Sequence, residues 1–279
     1  MHSGFVTAGG HSLEYRIFPA HQINRPTLVL LHEGLGSVAM WRDFPARLAA
    51  ATGCRTLVYS RHGYGQSDIL REAFKPDFMH REAREALPEL LAALDIGNPL
   101  LVGHSDGASI ALLHAGDGFA VAGLAVMAPH CFVEDVSIRS IEAARVAFET
   151  SDLPARLARY HRDARRTFLG WNDIWLHPEF RPWNIEDCLA RIRCPILAIQ
   201  GMDDEYGTMA QIEAIGAKAT ASPSVELLKL ADCRHSPHRD QTLAVIEAIS
   251  RFANDIDIAV PSAPTPGGFD SRSSSPRRW

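Results

Sequence analysis

Leu100-Leu101-Val102-Gly103-His104-Ser105-Asp106-Gly107-Ala108 is the stretch that decides the fold. Its first three residues read as a short buried strand, and Ala108, Ile110, Ala111 and Leu112 read as a small-residue helix. Between them Gly103–Gly107 matches the pattern G-x-S-x-G. A serine wedged between strand and helix must occupy a sharp turn, and the flanking glycines let neighbouring backbone approach. Such a turn lifts the hydroxyl above the sheet and aims a helix N-terminus at developing negative charge. The competing reading is a plain strand-to-helix turn, and the flanking pattern argues against it.

Outward from this point the chain repeats a rhythm of apolar strand, glycine-containing turn and helix. Phe5–Ala8 and Leu13–Phe18 flank Gly9-Gly10 as a hairpin. Thr27–Leu31, Arg55–Tyr59 and Val121–Met127 are further strands, with helical spacing over Trp41–Ala51 and over Asp77–Leu94, where Pro88 is expected to kink the helix. The rhythm breaks between about 129 and 192, a helical, strand-free stretch rich in arginine and aromatics. It resumes with strand Pro195–Gln200, helix Thr208–Ala219, strand Val225–Leu230 and helix Thr242–Phe252. Continuous apolar strands alternating with helices predict an α/β fold, a mostly parallel sheet covered by helices on both faces. The expected division is a core over 1–129 and 193–254, a helical cap inserted at 130–192, and a disordered tail over 255–279, where proline, glycine and serine dominate.

A serine hydroxyl needs a base, and the base needs an orienting partner. Two late strands lead into turns that offer both. Pro195–Gln200 runs into Gly201-Met202-Asp203-Asp204-Glu205, and Val225–Leu230 runs into Asp232-Cys233-Arg234-His235-Ser236-Pro237-His238.

In these motifs and their order the chain resembles the α/β-hydrolase superfamily over roughly 4–253. The resemblance implies Ser105 as nucleophile, Asp204 as the acid (its G-x-x-D turn selects it over Asp203) and His235 as the base. Asp203 stays open as the alternative acid and His238 as the runner-up base, more at home on a cap or pocket edge. His32-Glu33-Gly34-Leu35-Gly36-Ser37 resembles the family's oxyanion loop, which implies Gly34 as one N–H donor, with Leu35 as alternative, beside the N–H of Asp106. Glu33 departs from the family's glycine. Its carboxylate either lies near the pocket or turns to solvent or an arginine. Arg61-His62-Gly63-Tyr64-Gly65-Gln66-Ser67 resembles a further family loop and is read as structural, since no dinucleotide or P-loop spacing is present.

Asp106 is the other informative departure. In a minority of relatives, amino-acid ester hydrolases among them, such an aspartate holds a substrate ammonium; the competing reading is a carboxylate bonded within the turn. His32, His62, His104 and His130 gather near strand ends, as pocket lining would, with His32, Glu33, Leu35 and His238 as substrate-binding candidates. Trp171, Trp175 and Trp183 are the lid candidates. The thirteen histidines form no metal-ligating spacing, so neither metal nor cofactor is expected.

A net charge of −5 without a basic stripe argues against nucleic acid. No apolar run approaches a membrane span, and Met1-His2-Ser3-Gly4 opens no secretory signal. Five scattered cysteines read as free thiols of a cytoplasmic protein. The expected partner is a small-molecule substrate; if the chain assembles, a homodimer is the expected form. The expected activity is a serine hydrolase acting on a small carboxylic ester or thioester through an acyl-enzyme. The alternatives are a C–C bond hydrolase of an aromatic ring-cleavage pathway, an acyltransferase, and a low-turnover ligand receptor on the same fold.

Overall fold

The computed structural model describes residues 1–22 and 25–256. The expected tail therefore lies outside the described residues, apart from its first two positions. Eight strands form one sheet: β1 (His2–Ala8), β2 (His11–Phe18), β3 (Leu28–Leu31), β4 (Thr56–Tyr59), β5 (Leu100–His104), β6 (Gly123–Met127), β7 (Ile196–Gly201) and β8 (Val225–Leu230). Their order across the sheet is β1-β2-β4-β3-β5-β6-β7-β8. Strand β2 pairs antiparallel with both β1 and β4, while β4 and all strands beyond it pair in parallel. The hairpin turns on Gly9 and Gly10 at φ 59° and 75°, both left-handed, which glycine adopts without a Cβ clash.

The helices are α1 (Phe44–Thr52), α2 (Phe78–Arg81), α3 (Leu87–Ala93), α4 (Asp106–Gly116), α5 (Asp135–Thr150), α6 (Leu153–Leu157), α7 (Ala164–Trp175), α8 (Glu186–Leu189), α9 (Ala210–Lys218), α10 (Pro237–Asp240) and α11 (Thr242–Asp255). The helix expected over Asp77–Leu94 is interrupted as Pro88 demands. Proline lacks an N–H and crowds the carbonyl one turn back, and a π turn over Glu82–Ala86 widens the coil between α2 and α3.

The strands alternate between two apolar layers. Val29, Leu31, Leu57, Leu101, Leu124, Val126 and Ile196 face one cluster, and Leu28, Leu30, Val58, Leu100, Val102, Ala125 and Leu197 face the other. Strands β3 to β7 are buried on both faces, which is why the sequence reads there as continuous apolar runs, while β1, β2 and β8 at the sheet margins are partly exposed. The second layer is closed by α1 and α11.

Between β6 and β7 the described residues contain helices, a 3₁₀ turn at Pro178–Phe180 and an isolated bridge joining Phe132 to Asn184. Phe148, Phe168, Trp171, Trp175, Phe180 and Trp183 from this stretch belong to the same apolar cluster as the sheet face. Helix α8 reaches back to α4, where Gly116 admits the Cys188 backbone. This region is therefore built onto the core rather than around a core of its own. Among the described residues no helix is long and apolar enough to cross a membrane.

Every parallel strand ends on the same edge of the sheet. There lie the loop after β3 (His32–Ser37), the loop after β4 (Ser60–Ser67), Ser105 after β5, His130 after β6, Asp204 after β7 and His235 after β8. The carboxyl ends of parallel strands are where such sheets leave a crevice.

Candidate active site

Ser105 sits at φ 53° and ψ −120°, a conformation that a non-glycine residue adopts only when its surroundings enforce it. The enforcement is visible. The Ser105 N–H donates to the Met127 carbonyl at 2.9 Å, and its own carbonyl accepts from the N–H groups of Ala108 and Ser109. The turn is tight enough that a Cβ on Gly107 would lie 2.2 Å from the Leu31 carbonyl oxygen. Asp106 is the first residue of α4, so its N–H is one of those a helix leaves without an intrahelical partner.

His235 closes on this serine from the loop after β8. Its Nε2 lies 3.0 Å from Ser105 Oγ, and its Nδ1 lies 2.9 and 3.0 Å from the two carboxylate oxygens of Asp204. A carboxylate only accepts, so Nδ1 carries the hydrogen and Nε2 presents its lone pair to the hydroxyl. Asp204 is almost entirely buried. Its Oδ1 accepts from the N–H groups of Tyr206 (2.8 Å) and Gly207 (3.2 Å), and its Oδ2 from Gln200 Nε2 at 2.7 Å. Burial opposes ionisation of this carboxyl, but the His235 and backbone hydrogen bonds outweigh it and hold the group below its ordinary value. Neighbouring Asp203 is exposed and only its backbone is engaged, to the Cys233 carbonyl. The backbone bonds of Met202 to Leu230 and of Asp203 to Cys233 fasten the two late turns together.

The loop after β3 is held from beneath. His32 is fully buried; its Nδ1–H donates to the Glu33 carbonyl at 2.7 Å and its Nε2 accepts from the Arg61 N–H at 3.0 Å. Burial and the Arg61 charge push the ring's pKa well down, so it stays neutral. The substrate-binding role expected of His32 does not fit this placement, since both nitrogens serve the loop itself. Arg61 also donates from Nη2 to the carbonyls of His32 (3.3 Å) and Glu33 (3.0 Å), and stands 3.8 Å from Asp106 Oδ2. His161, from the segment before α7, donates from Nε2 to the Leu35 carbonyl at 3.0 Å and accepts from the Gly65 N–H at 2.9 Å.

Helix α7 lays two indoles on this assembly. Trp175 donates from Nε1 to Asp106 Oδ1 at 3.2 Å. One helical turn earlier, Trp171 covers Gly34 so closely that a Cβ there would lie 2.0 Å from Nε1. Of the three lid candidates these two touch residues of the site. Trp183 does not; it packs on Phe180 and His80 farther along the aromatic row. Asp106 is thus engaged internally, by a hydrogen bond from Trp175 and the nearby Arg61 charge, rather than open to a substrate cation. Burial raises its pKa, with Arg61 and the indole acting in the opposite sense.

Two further candidates sit elsewhere than expected. His238 is not on a pocket edge but buried among Trp41, Phe44 and His104, which leaves it no path to Ser105. Glu33 faces His104 and Arg239 rather than open solvent. Sequence reasoning missed Gln200, Arg61 as a side chain with a task, and His161. Gln200 carried a signal, a polar residue closing an otherwise apolar strand. Arg61 and His161 carried none beyond residue type, because their partners are distant in sequence. A groove of about 630 Å³ lies between the β1–β2 hairpin, the loop after β4 and α2, with Arg61 and Tyr64 in its wall; Ser105, Asp204 and His235 do not line it.

The sequence profile of the alpha/beta hydrolase family matches residues 28–248. No curated protein matches the chain in sequence. Solved structures do resemble it. The protein VinJ superposes with a TM-score of 0.68 at 23% identity, covering 92% of this chain and 99% of its own. The enol-lactonase from Burkholderia xenovorans gives 0.70 at 20%, covering 90% and 100%. An alpha/beta hydrolase enzyme from a Medee basin deep-sea metagenome library gives 0.72 at 19%, covering 92% and 100%.

Proposed function

The chain belongs to the alpha/beta hydrolase family, and from that premise we propose that it hydrolyses a small carboxylic ester or thioester through an acyl-enzyme on Ser105. The observation that carries this reading is the unbroken line from Ser105 Oγ through His235 to Asp204, at 3.0 and 2.9 Å. His235 takes the hydroxyl proton as Oγ attacks the acyl carbon, and the buried Asp204 carboxylate stabilises the imidazolium that forms. The N–H groups of Asp106 and Gly34 receive the oxyanion. The imidazolium then protonates the departing alcohol or thiol. Water, activated by the same histidine, attacks the acyl-enzyme and restores the serine.

Two features support a compact, uncharged acyl group. Trp171 lies on Gly34, so space over the oxyanion loop is limited. The Asp106 carboxylate is matched by Arg61 and Trp175, which leaves no free charge for a substrate ammonium. In this reading residues 130–192 act as a cap whose helix α7 roofs the nucleophile.

Labelling with a fluorophosphonate probe tests the proposal. Native protein should label and should hydrolyse p-nitrophenyl acetate, and both S105A and H235A should lose the two properties together. Native protein that neither labels nor turns over would overturn it and favour ligand binding without turnover.

A further inference from the structure

Glu33 stands where the family resemblance leads one to expect glycine, and its side chain is put to use. One oxygen lies 3.6 Å from Arg239 Nη2, on α10 just beyond the His235 loop. The other lies 3.5 Å from Nδ1 of His104, the residue before the nucleophile. The carboxylate folds over Gly36, where a Cβ would meet it at 2.4 Å. His104 is 1% exposed, and its Nε2 lies 2.7 Å from the backbone carbonyl of His235.

A carbonyl only accepts, so Nε2 of His104 carries a hydrogen. Nδ1 then faces a carboxylate oxygen and, among the described residues, has no hydrogen-bond partner. Two lone pairs brought together in a buried site repel, so the contact requires one proton held between them, on Nδ1 or on the carboxylate.

We propose that Glu33 and His104 form a proton-holding pair that positions the general base, tying the His235 backbone to the nucleophile turn. The proposal rests on the reading of His235 as base. Both are positioning residues: neither touches the reacting atoms, and Arg239 anchors the pair to α10. The groups facing it are Arg239 and His238 from α10, His235 after β8, His130 after β6, Asp106 at the start of α4, His32 after β3, His161 before α7, and Arg61, which reaches the Glu33 carbonyl. Burial drives His130 down to about 3 and His238 well below its ordinary value, so both are neutral at pH 7. Arg239 and Arg61 are then the fixed charges beside the pair. Burial works against the Glu33 carboxylate, yet His104 and Arg239 hold its carboxyl well below the usual range.

Removing either partner leaves the other without its shared contact, so the tether from His104 to the His235 carbonyl loosens and kcat falls while KM stays. Displacement of a catalytic group by a fraction of an ångström is enough for about a tenfold loss.

The test is p-nitrophenyl acetate turnover of native protein, E33A, E33Q, H104F and H104Q. H104F and E33A should lose about tenfold in kcat with KM little changed. H104Q keeps an amide donor for the His235 carbonyl and removes Nδ1; E33Q supplies an N–H to a neutral Nδ1. Each glutamine should recover most of the loss. Unchanged kcat in E33A and H104F overturns the proposal, as does a kcat in E33Q or H104Q no better than in E33A or H104F. If E33A or H104F fails to fold, the glutamine variants decide: near-native kcat supports the pair, and a loss of about tenfold at unchanged KM overturns it. Absence of Ser105 labelling in native protein would instead overturn the nucleophile reading.

Discussion

The indole N–H of Trp175 donates to the carboxylate of Asp106 across 3.2 Å, both side chains being fully buried. This bond joins α7 to the residue that follows Ser105. On its other side Asp106 meets Arg61, which grips the His32 and Glu33 carbonyls of the facing loop. One buried carboxylate therefore ties together α7, the Ser105 turn and the loop after β3. Buried charge is tolerated only when it is matched in this way.

Removing the indole donor should be costly. W175F keeps an aromatic ring but deletes the pyrrole half of the indole with its N–H, leaving Asp106 Oδ1 without a partner. A hydrogen bond to a charged group contributes about 1.5–3 kcal/mol, and a loss of that order is expected in the unfolding free energy measured by urea titration. An unchanged midpoint would show that the bond contributes nothing to the fold.

Asp204 and Asp203 should separate cleanly. D204N leaves the shape intact but deprives His235 of the acceptor that fixes its tautomer, and kcat for p-nitrophenyl acetate should fall about 10⁴-fold, the loss seen when such an acid is amidated. D203N alters an exposed side chain and should change kcat less than about twofold, as surface substitutions do. The reverse outcome would assign the acid to Asp203.

Stability should respond to acid through Asp204. Its folded value is depressed, so its contribution is complete above the ordinary carboxylate value of 3.8 and is lost as pH falls through the lower folded value. Asp106 and Glu82, whose values burial raises, act in the opposite sense, so the informative quantity is the difference between variants. Native protein and D204N should converge in unfolding free energy below about pH 4. Parallel curves down to pH 2 would contradict the depressed value.

Gln200 should prove more than a strand residue. Its Nε2 bonds Asp204 and the Gly207 carbonyl. Q200L leaves a buried carboxylate oxygen short of a donor, and about 1–3 kcal/mol of stability and severalfold of kcat should be lost, read by thermal unfolding and turnover. Activity and Tm equal to native would make the contact incidental.

The nucleophile turn should tolerate no added volume. G107A would place a methyl 2.2 Å from the Leu31 carbonyl, a backbone atom that cannot step aside. Strain of about 1–3 kcal/mol or more follows, visible as a lower Tm with reduced fluorophosphonate labelling. Native-like labelling would show that β3 and the turn are free to separate.

Residues 100–108 determined the strand, the sharp turn and the helix, because a short apolar run, paired glycines and small residues encode local geometry at single-residue range. The parallel sheet was legible for the same reason: strands buried on both faces read as unbroken apolar runs, and Gly9-Gly10 wrote its own hairpin. The turn after β7 offered two adjacent aspartates, and only the resemblance of its spacing to a family motif chose between them before the structure brought Asp204 to His235. Tertiary structure alone decided the rest. His32 and His238 are turned inward, Trp183 packs away from the site, and Glu33 meets His104 and Arg239, since each of these outcomes depends on what a distant strand end delivers to the same edge of the sheet. Side-chain direction at a loop is set by packing partners far away in sequence, and no local pattern of residues records them.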